Sequence, residues 1–138
     1  MTVQAYVNFN GKCREAVEFY ADVFAAEKQQ IMFYGDVHTD GEFPLTEETK
    51  NFVMHTFLEI KGSKVMFSDV PPGMPFVVGN NISLTIISND VDEIKTMFDK
   101  LKADGTVVME LQETFWSKCY GFVTDKFGIG WQFNYPEE

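Results

Sequence analysis

Residues 3–9 are rich in β-branched and aromatic side chains and stop at Asn10-Gly11, the pattern of a strand followed by a turn. Cys13, Ala16, Val17, Tyr20, Val23 and Phe24 then recur at i, i+3, i+4 and i+7, which predicts an amphipathic helix over 12–24. An apolar run at 29–34 reads as a short strand. The polar, acidic stretch 35–50, with Gly35, Gly41 and Pro44, reads as a mobile loop longer than most connections. Strand character resumes over 51–60, turns at Lys61-Gly62-Ser63 and continues over 64–68, a predicted hairpin. Strict alternation along its first arm puts Val53, His55, Phe57 and Glu59 on one face and Phe52, Met54, Thr56, Leu58 and Ile60 on the other. Pro71, Pro72 and Pro75 lack amide hydrogens, so this stretch is expected to cross to Asn80-Asn81 rather than join a sheet.

The second half repeats the rhythm. Residues 82–88 read as a strand, Asp90 and Glu93 stand at capping-box spacing, and Val91, Ile94, Met97, Phe98 and Leu101 predict a second amphipathic helix. Gly105 sits where a C-terminal cap would. A strand over 106–113 follows, then strand-like runs at 117–124 and 130–135 joined by the turn Asp125-Lys126-Phe127-Gly128. Tyr120, Phe122 and Thr124 share one face; Cys119, Gly121 and Val123 share the other, with Gly121 read as a point of close backbone approach. Gln132 and Asn134 oppose Trp131 and Phe133, which suggests a sheet with one dry side and one side lining something polar.

The order is strand, helix, three strands, twice over. Superposing the helices so that Cys13 meets Val91 also brings Ala16, Tyr20 and Val23 onto Ile94, Phe98 and Leu101, and Ala5 and Tyr6 onto Ser83 and Leu84. The expectation is one α+β domain spanning 1–138, made of tandem βαβββ units at about 3–69 and 81–135, whose curved mixed sheets surround a cavity.

Composition narrows the function classes. A chain of 138 residues that is 45% hydrophobic, with 14 Phe, is expected to fold despite a formal charge of −10. That charge argues against nucleic acid, whose affinity rests on neutralised phosphates, and against an anionic membrane surface. Cys13 and Cys119 do not make a disulfide framework, no signal-peptide pattern opens the chain, and no apolar run approaches the roughly 20 residues of a membrane span. A cytoplasmic protein with reduced thiols is expected.

The twice-occurring βαβββ pattern and the Phe19-Tyr20 pair in the first helix resemble the vicinal oxygen chelate superfamily of glyoxalases, bleomycin-resistance proteins and extradiol dioxygenases. The runs MHTFLEIKGSKVMFSD (54–69) and ETFWSKCYGFVTDKFGIGWQFN (113–134) resemble its PhnB-like branch, often labelled 3-demethylubiquinone-9 3-methyltransferase-like. The resemblance spans 3–135 and implies a glyoxalase/bleomycin-resistance-like fold, a ligand cavity and a homodimer. It also implies a divalent metal held by His, Gln and Glu from the first and last strand of each unit. Those positions fall near Ala5, Phe67, Ser83 and Gln132, of which only Gln132 is a plausible donor here, so neither a metal nor another cofactor is expected. The lone G-x-G, Gly128-Ile129-Gly130, stands between two strands and not before a helix, which argues against a methyl-donor cofactor site.

The residues therefore point to a small-molecule binding protein without the usual metal, its cavity walled by His55, Trp116, Tyr120, Phe122 and Gln132, with Ser68 and Asp69 at the rim. The alternative is a divergent metal-dependent lyase, isomerase or dioxygenase, or a metal-free acid-base catalyst using His55, the one catalytic candidate. His55 and Glu59, about 13 Å apart along a strand, cannot share one ion unaided. Asp36, His38 and Asp40 read as a solvated loop.

Overall fold

The computed structural model describes residues 1–36, 45–71 and 73–136. His38 and Asp40, with half of the predicted acidic loop, and Pro72 lie outside these. The chain divides into two compact units at Val77/Val78, within the predicted crossing segment.

In the first unit, β1 (Ala5–Phe9) leads to helix α1 (Cys13–Val23), then β2 (Met32–Phe33), β3 (Val53–Ile60) and β4 (Ser63–Asp69). The sheet order is β1-β4-β3-β2, with β1 parallel to β4 and the other pairs antiparallel. The helix buries Cys13, Ala16, Val17, Tyr20, Ala21 and Val23, the stripe its periodicity predicts. Tyr20 stacks on Phe67 of β4 with ring centroids 5.7 Å apart, and Phe9 stacks on the same ring at 6.4 Å. The β3-β4 hairpin pairs Ile60 with Ser63 across Lys61 and Gly62, whose φ angles of 50° and 85° make the two-residue turn that matches strand twist.

In the second unit, β5 (Ser83–Ile87) leads to α2 (Val91–Leu101), then β6 (Thr106–Gln112), β7 (Tyr120–Thr124) and β8 (Gly130–Asn134). The order β5-β8-β7-β6, with β5 parallel to β8, reproduces the first unit's topology. Ile94, Met97, Phe98 and Leu101 are buried, and Phe98 meets Phe133 of β8 edge-on at 5.8 Å. Each unit is thus an open four-stranded mixed sheet with one helix on one face. The other face of each sheet, turned away from its helix, is its open face.

Several local expectations change. The run at 29–34 yields only the two-residue β2, because Tyr34 enters a 3-10 turn, Tyr34–Asp36. Alternation along β3 breaks at Met54: Met32 pairs with His55 and Phe33 with Val53, so one residue is bulged out. Val53 is consequently fully buried with Thr56, Leu58 and Ile60, while His55, Phe57 and Glu59 stay on the open face. The capping box is rerouted. Asp90 accepts the Glu93 amide at 3.1 Å, but the Glu93 carboxylate takes the Ser88 hydroxyl, which in turn accepts the Asp90 amide. Gly105 has ordinary backbone angles, and it is Asp104 that takes a φ of 59°. Gly105 is required because a Cβ there would strike the carbonyl oxygen of Thr124. At Gly121 the close approach comes from side chains, Leu111 and Phe98, and not from backbone. The run at 117–124 pairs only from Tyr120, since Ser117 belongs to a turn.

Candidate functional site

The open face of the second sheet follows from the alternation of β7 and β8. Trp131, Phe133, Gly121 and Val123 turn to the helix side, leaving Gln132, Asn134, Tyr120, Phe122 and Thr124 on the other. Phe122 pairs across strands with Gln132, Tyr120 with Asn134, and Thr85 of β5 with Gln132 from the opposite side. A directed chain of hydrogen bonds crosses this face. The Tyr120 hydroxyl donates to Gln132 Oε1 at 2.6 Å, and Gln132 Nε2 donates to Ser83 Oγ at 2.8 Å. Asn134 Oδ1, next in the row, is buried and has no hydrogen-bond partner among the described residues.

An aromatic file leads into this polar row. Thr114 and Ser117 close a tight turn: Thr114 N donates to Ser117 O at 2.8 Å and Ser117 N to Thr114 Oγ1 at 3.1 Å. Ser117 is buried and also ties the turn to Cys119 and Tyr135. The turn holds Phe115, 97% exposed, and Trp116, 38% exposed, at its tip. Trp116 meets Phe115 edge-on at 4.7 Å and Tyr120 edge-on at 5.4 Å. A cavity of about 280 Å³ lies at this turn, with Glu113, Trp116, Lys118 and Pro136 in its wall. It opens to solvent, and of the cavity wall expected from sequence only Trp116 lines it. The separate turn from β7 to β8 is held by Asp125, which accepts the amides of Phe127 and Ile129 and the Trp131 indole N–H at 2.9 Å.

On the first sheet, Tyr6 and Asn8 of β1 and Met66 and Ser68 of β4 point away from the helix, with His55 and Phe57 of β3. The Tyr6 hydroxyl and His55 Nδ1 are hydrogen-bonded at 3.1 Å, and Ser68 Oγ donates to Asn8 Oδ1 at 2.8 Å. Asp69 is different. It lies on the helix side, 1% exposed, and accepts from Gly11 N at 2.7 Å, Cys13 N at 3.1 Å and Val53 N at 2.9 Å. It is the N-terminal cap that Lys12 does not supply to α1, and its backbone carbonyl also takes the Tyr34 hydroxyl. Burial, then the Asp69 charge, pushes the Cys13 thiol far above its ordinary range. The same two causes, followed by Tyr6, raise the Tyr34 phenol. Burial raises the Cys119 thiol too, with Lys95 pulling partly back. Both thiols are therefore held neutral and are poor nucleophiles.

Of the residues singled out from sequence, Trp116, Tyr120, Phe122 and Gln132 share the second open face and its entry turn. His55 and Ser68 share the first open face, and Asp69 is taken up by backbone amides. Tyr6, Asn8, Ser83, Phe115 and Asn134 complete these arrangements. The alternation Tyr6-Val7-Asn8 and Ser83-Leu84-Thr85 carried the signal for three of them. The metal positions inferred near Ala5 and Phe67 fall on the helix side, one residue off the open face. Their open-face neighbours are Tyr6 and Asn8, and Met66 and Ser68. With Ser83 and Gln132, these offer hydroxyl, amide and thioether groups, most already bonded to one another. Such a set does not fit a zinc-like or iron-like centre, which calls for imidazole and carboxylate donors. No group of three or more His, Cys, Asp or Glu among the described residues could hold a metal ion. Among the described residues, no helix is long and apolar enough to cross a membrane.

A family model described as 3-demethylubiquinone-9 3-methyltransferase matches residues 2–134. The chain is 33% identical to Protein YjdN of Escherichia coli strain K12 over 146 residues, which cover 97% of this chain and 95% of that protein. Among solved structures it is similar to PA1353 of Pseudomonas aeruginosa, with a TM-score of 0.85 and 28% identity over 100% of this chain and 99% of that one. It is also similar to the PhnB protein of Bacillus cereus, with a TM-score of 0.74 and 29% identity over 98% and 99% of the two chains. The fosfomycin resistance protein FosX of Listeria monocytogenes, 10% identical with a TM-score of 0.65 over 97% and 91%, shares the fold alone. With the family match running through both βαβββ units, the chain belongs to the 3-demethylubiquinone-9 3-methyltransferase-like, or PhnB-like, family of the vicinal oxygen chelate superfamily.

Proposed function

We propose that this protein binds a small molecule on the open face of its second sheet, without the superfamily's usual metal. The observation that carries the reading is the continuous row from the Phe115-Trp116 pair through Tyr120 and Gln132 to Ser83. Exposed aromatics fixed by a hydrogen-bonded turn lose little freedom on contact with a ligand, and the polar row beside them sets orientation. The methyltransferase name is not favoured by the one G-x-G in the chain. Gly128-Ile129-Gly130 closes the turn from β7 to β8, where Gly128 takes a φ of 91°, and it opens no helix that could receive a cofactor. By the superfamily's habit the working form is a homodimer, which light scattering tests against the 15.8 kDa chain mass.

The experiment is ligand screening by thermal shift on wild type and Trp116→Ala. Hits that raise the wild-type midpoint and lose affinity about tenfold or more in a variant of near wild-type stability support the reading. Hits indifferent to Trp116 move the site elsewhere. A metal-free acid-base role is the second reading, favoured by the contact between Tyr6 and His55 on the first open face. It predicts a turnover that His55→Gln abolishes, and turnover surviving that change removes His55 from the chemistry.

A further inference from the structure

We propose that the open face of the first sheet is a ligand site in its own right, one that holds the carbonyl oxygen of an uncharged molecule between the Asn8 amide and the Tyr6-His55 pair. This goes beyond the reading above, which rests on the second sheet. β4 lies between β1 and β3, so the 3.1 Å contact from the Tyr6 hydroxyl to His55 Nδ1 reaches across it. To this face β4 contributes Met66, paired with Tyr6 on one side and Phe57 on the other, and Ser68, paired with Asn8. The antiparallel run of β3 and β4 ends at Thr56-Phe67, which leaves His55 and Ser68 as the next residues of the two strands. Asn8 and His55 thus flank Ser68.

A count of protons gives the chemistry. Ser68 is 7% exposed and spends its hydroxyl proton on Asn8 Oδ1 at 2.8 Å. That bond orients the amide and leaves both Nδ2 hydrogens without an acceptor among the described residues. A phenol and an imidazole hold two N–H or O–H protons between them, and the contact of Tyr6 with His55 uses one. If the phenol donates, the imidazole Nε2–H is left over; if Nδ1–H donates, the phenol O–H is left over. Either arrangement keeps a donor for an acceptor from outside. The nearby carboxylates do not meet these donors. Asp69, next along β4, is taken by amides on the helix side, and Glu59 lies opposite Lys64 beside the hairpin turn. The Lys64 ammonium rests over the Phe57 ring at 4.5 Å. One carboxylate set against one ammonium gives this face no net charge, and the chain carries −10, which disfavours an anionic ligand. Half-buried Phe57 and Met66 offer apolar surface for the rest of the molecule.

The test titrates acetophenone, aniline and benzoate, single rings that respectively accept a hydrogen bond, donate one and carry a negative charge. Binding is read from the Met66 methyl resonance, identified as the methionine peak missing in Met66→Leu. The expected result is acetophenone binding about fivefold or more tighter than either of the others. Asn8→Asp keeps an acceptor for Ser68 but replaces the amide donor with a second acceptor, at a position exposed enough to leave the fold intact. In that variant the preference for acetophenone over aniline falls to about one or reverses. Equal affinities for these two in wild type, a ratio unchanged in Asn8→Asp, or benzoate as the tightest of the three would overturn the assignment. So would a Met66 resonance that none of the three moves.

Discussion

Asp69 shows how one side chain is diverted from a surface role to a structural one. Its alternation places it with Val65 and Phe67 on the helix side of β4, where three amides converge on its carboxylate. Removing it would leave buried N–H groups at the start of α1 and of β3 without a partner. Asp69→Ala is expected to lower unfolding free energy by about 3–5 kcal/mol in urea titrations, and a loss below 1 kcal/mol would mean water replaces the carboxylate. The thiols give a pH prediction at the same scale. Cys13 and Cys119 are raised in the folded protein, whereas the unfolded chain ionises near 9.0. A raised folded value means the stabilisation is complete below pH 9 and is lost as pH climbs past it, with Tyr34 acting in the same direction above 10.0. Thermal midpoints should therefore fall from pH 8 to pH 10, and a disulfide reagent at pH 8 should label the thiols only as the protein unfolds. Rapid labelling of the native state would show that burial does not protect them.

At the scale of elements, the β3-β4 turn is the most local test of sequence against backbone. Lys61 takes a φ of 50°, a region in which Asn is favoured at the first turn position and Lys is not. Lys61→Asn should raise unfolding free energy by about 0.5–1 kcal/mol, and no gain would mean the turn relaxes to another type. Both helices, the hairpin and the repeat were legible because each rests on a local period. The Cys13 to Phe24 stripe and the Val91 to Leu101 stripe mark their buried faces directly. The bulge at Met54 was not legible, because Val53 and His55 share a parity and only pairing with β2 separates them. Gly105 was found for the wrong reason. Its constraint is the Thr124 carbonyl, which is distant in sequence. The site divides in the same way. Tyr120 and Gln132 follow from alternation, but the turn that presents Trp116 depends on reciprocal bonds between Thr114 and Ser117 that no periodicity encodes.

For the molecule as a whole, the issue is whether the fold holds the metal that the superfamily resemblance implies. The offset that aligns the helices places Ala5 against Ser83, but the strands align one residue further on. Leu84, Ile86 and Ser88 match the helix-side series Ala5, Val7 and Phe9, and β1 and β5 each have their own register to β4 and β8. The open-face residues of β1 and β4 include Tyr6, Asn8, Met66 and Ser68, and those of β5 and β8 include Ser83, Thr85, Ile87, Gln132 and Asn134. Hydroxyl and amide oxygens can join a hard cation's shell, yet without carboxylate or imidazole they bring no charge or strong nitrogen donor to hold a transition metal. The purified protein is therefore expected to carry far less than one equivalent of zinc, nickel, manganese or iron by elemental mass spectrometry. Adding each ion back should shift its melting midpoint by less than about 1 °C, since a site saturated a hundredfold above its Kd would supply about 2.7 kcal/mol. One equivalent of metal with a clear shift on re-addition would mean that ligands come from outside these positions, and it would restore the lyase, isomerase or dioxygenase alternatives. If that shift survived His55→Gln but not Gln132→Ala, the metal would belong to the second sheet, and the hydrogen-bonded row there would be its ligand-free resting arrangement.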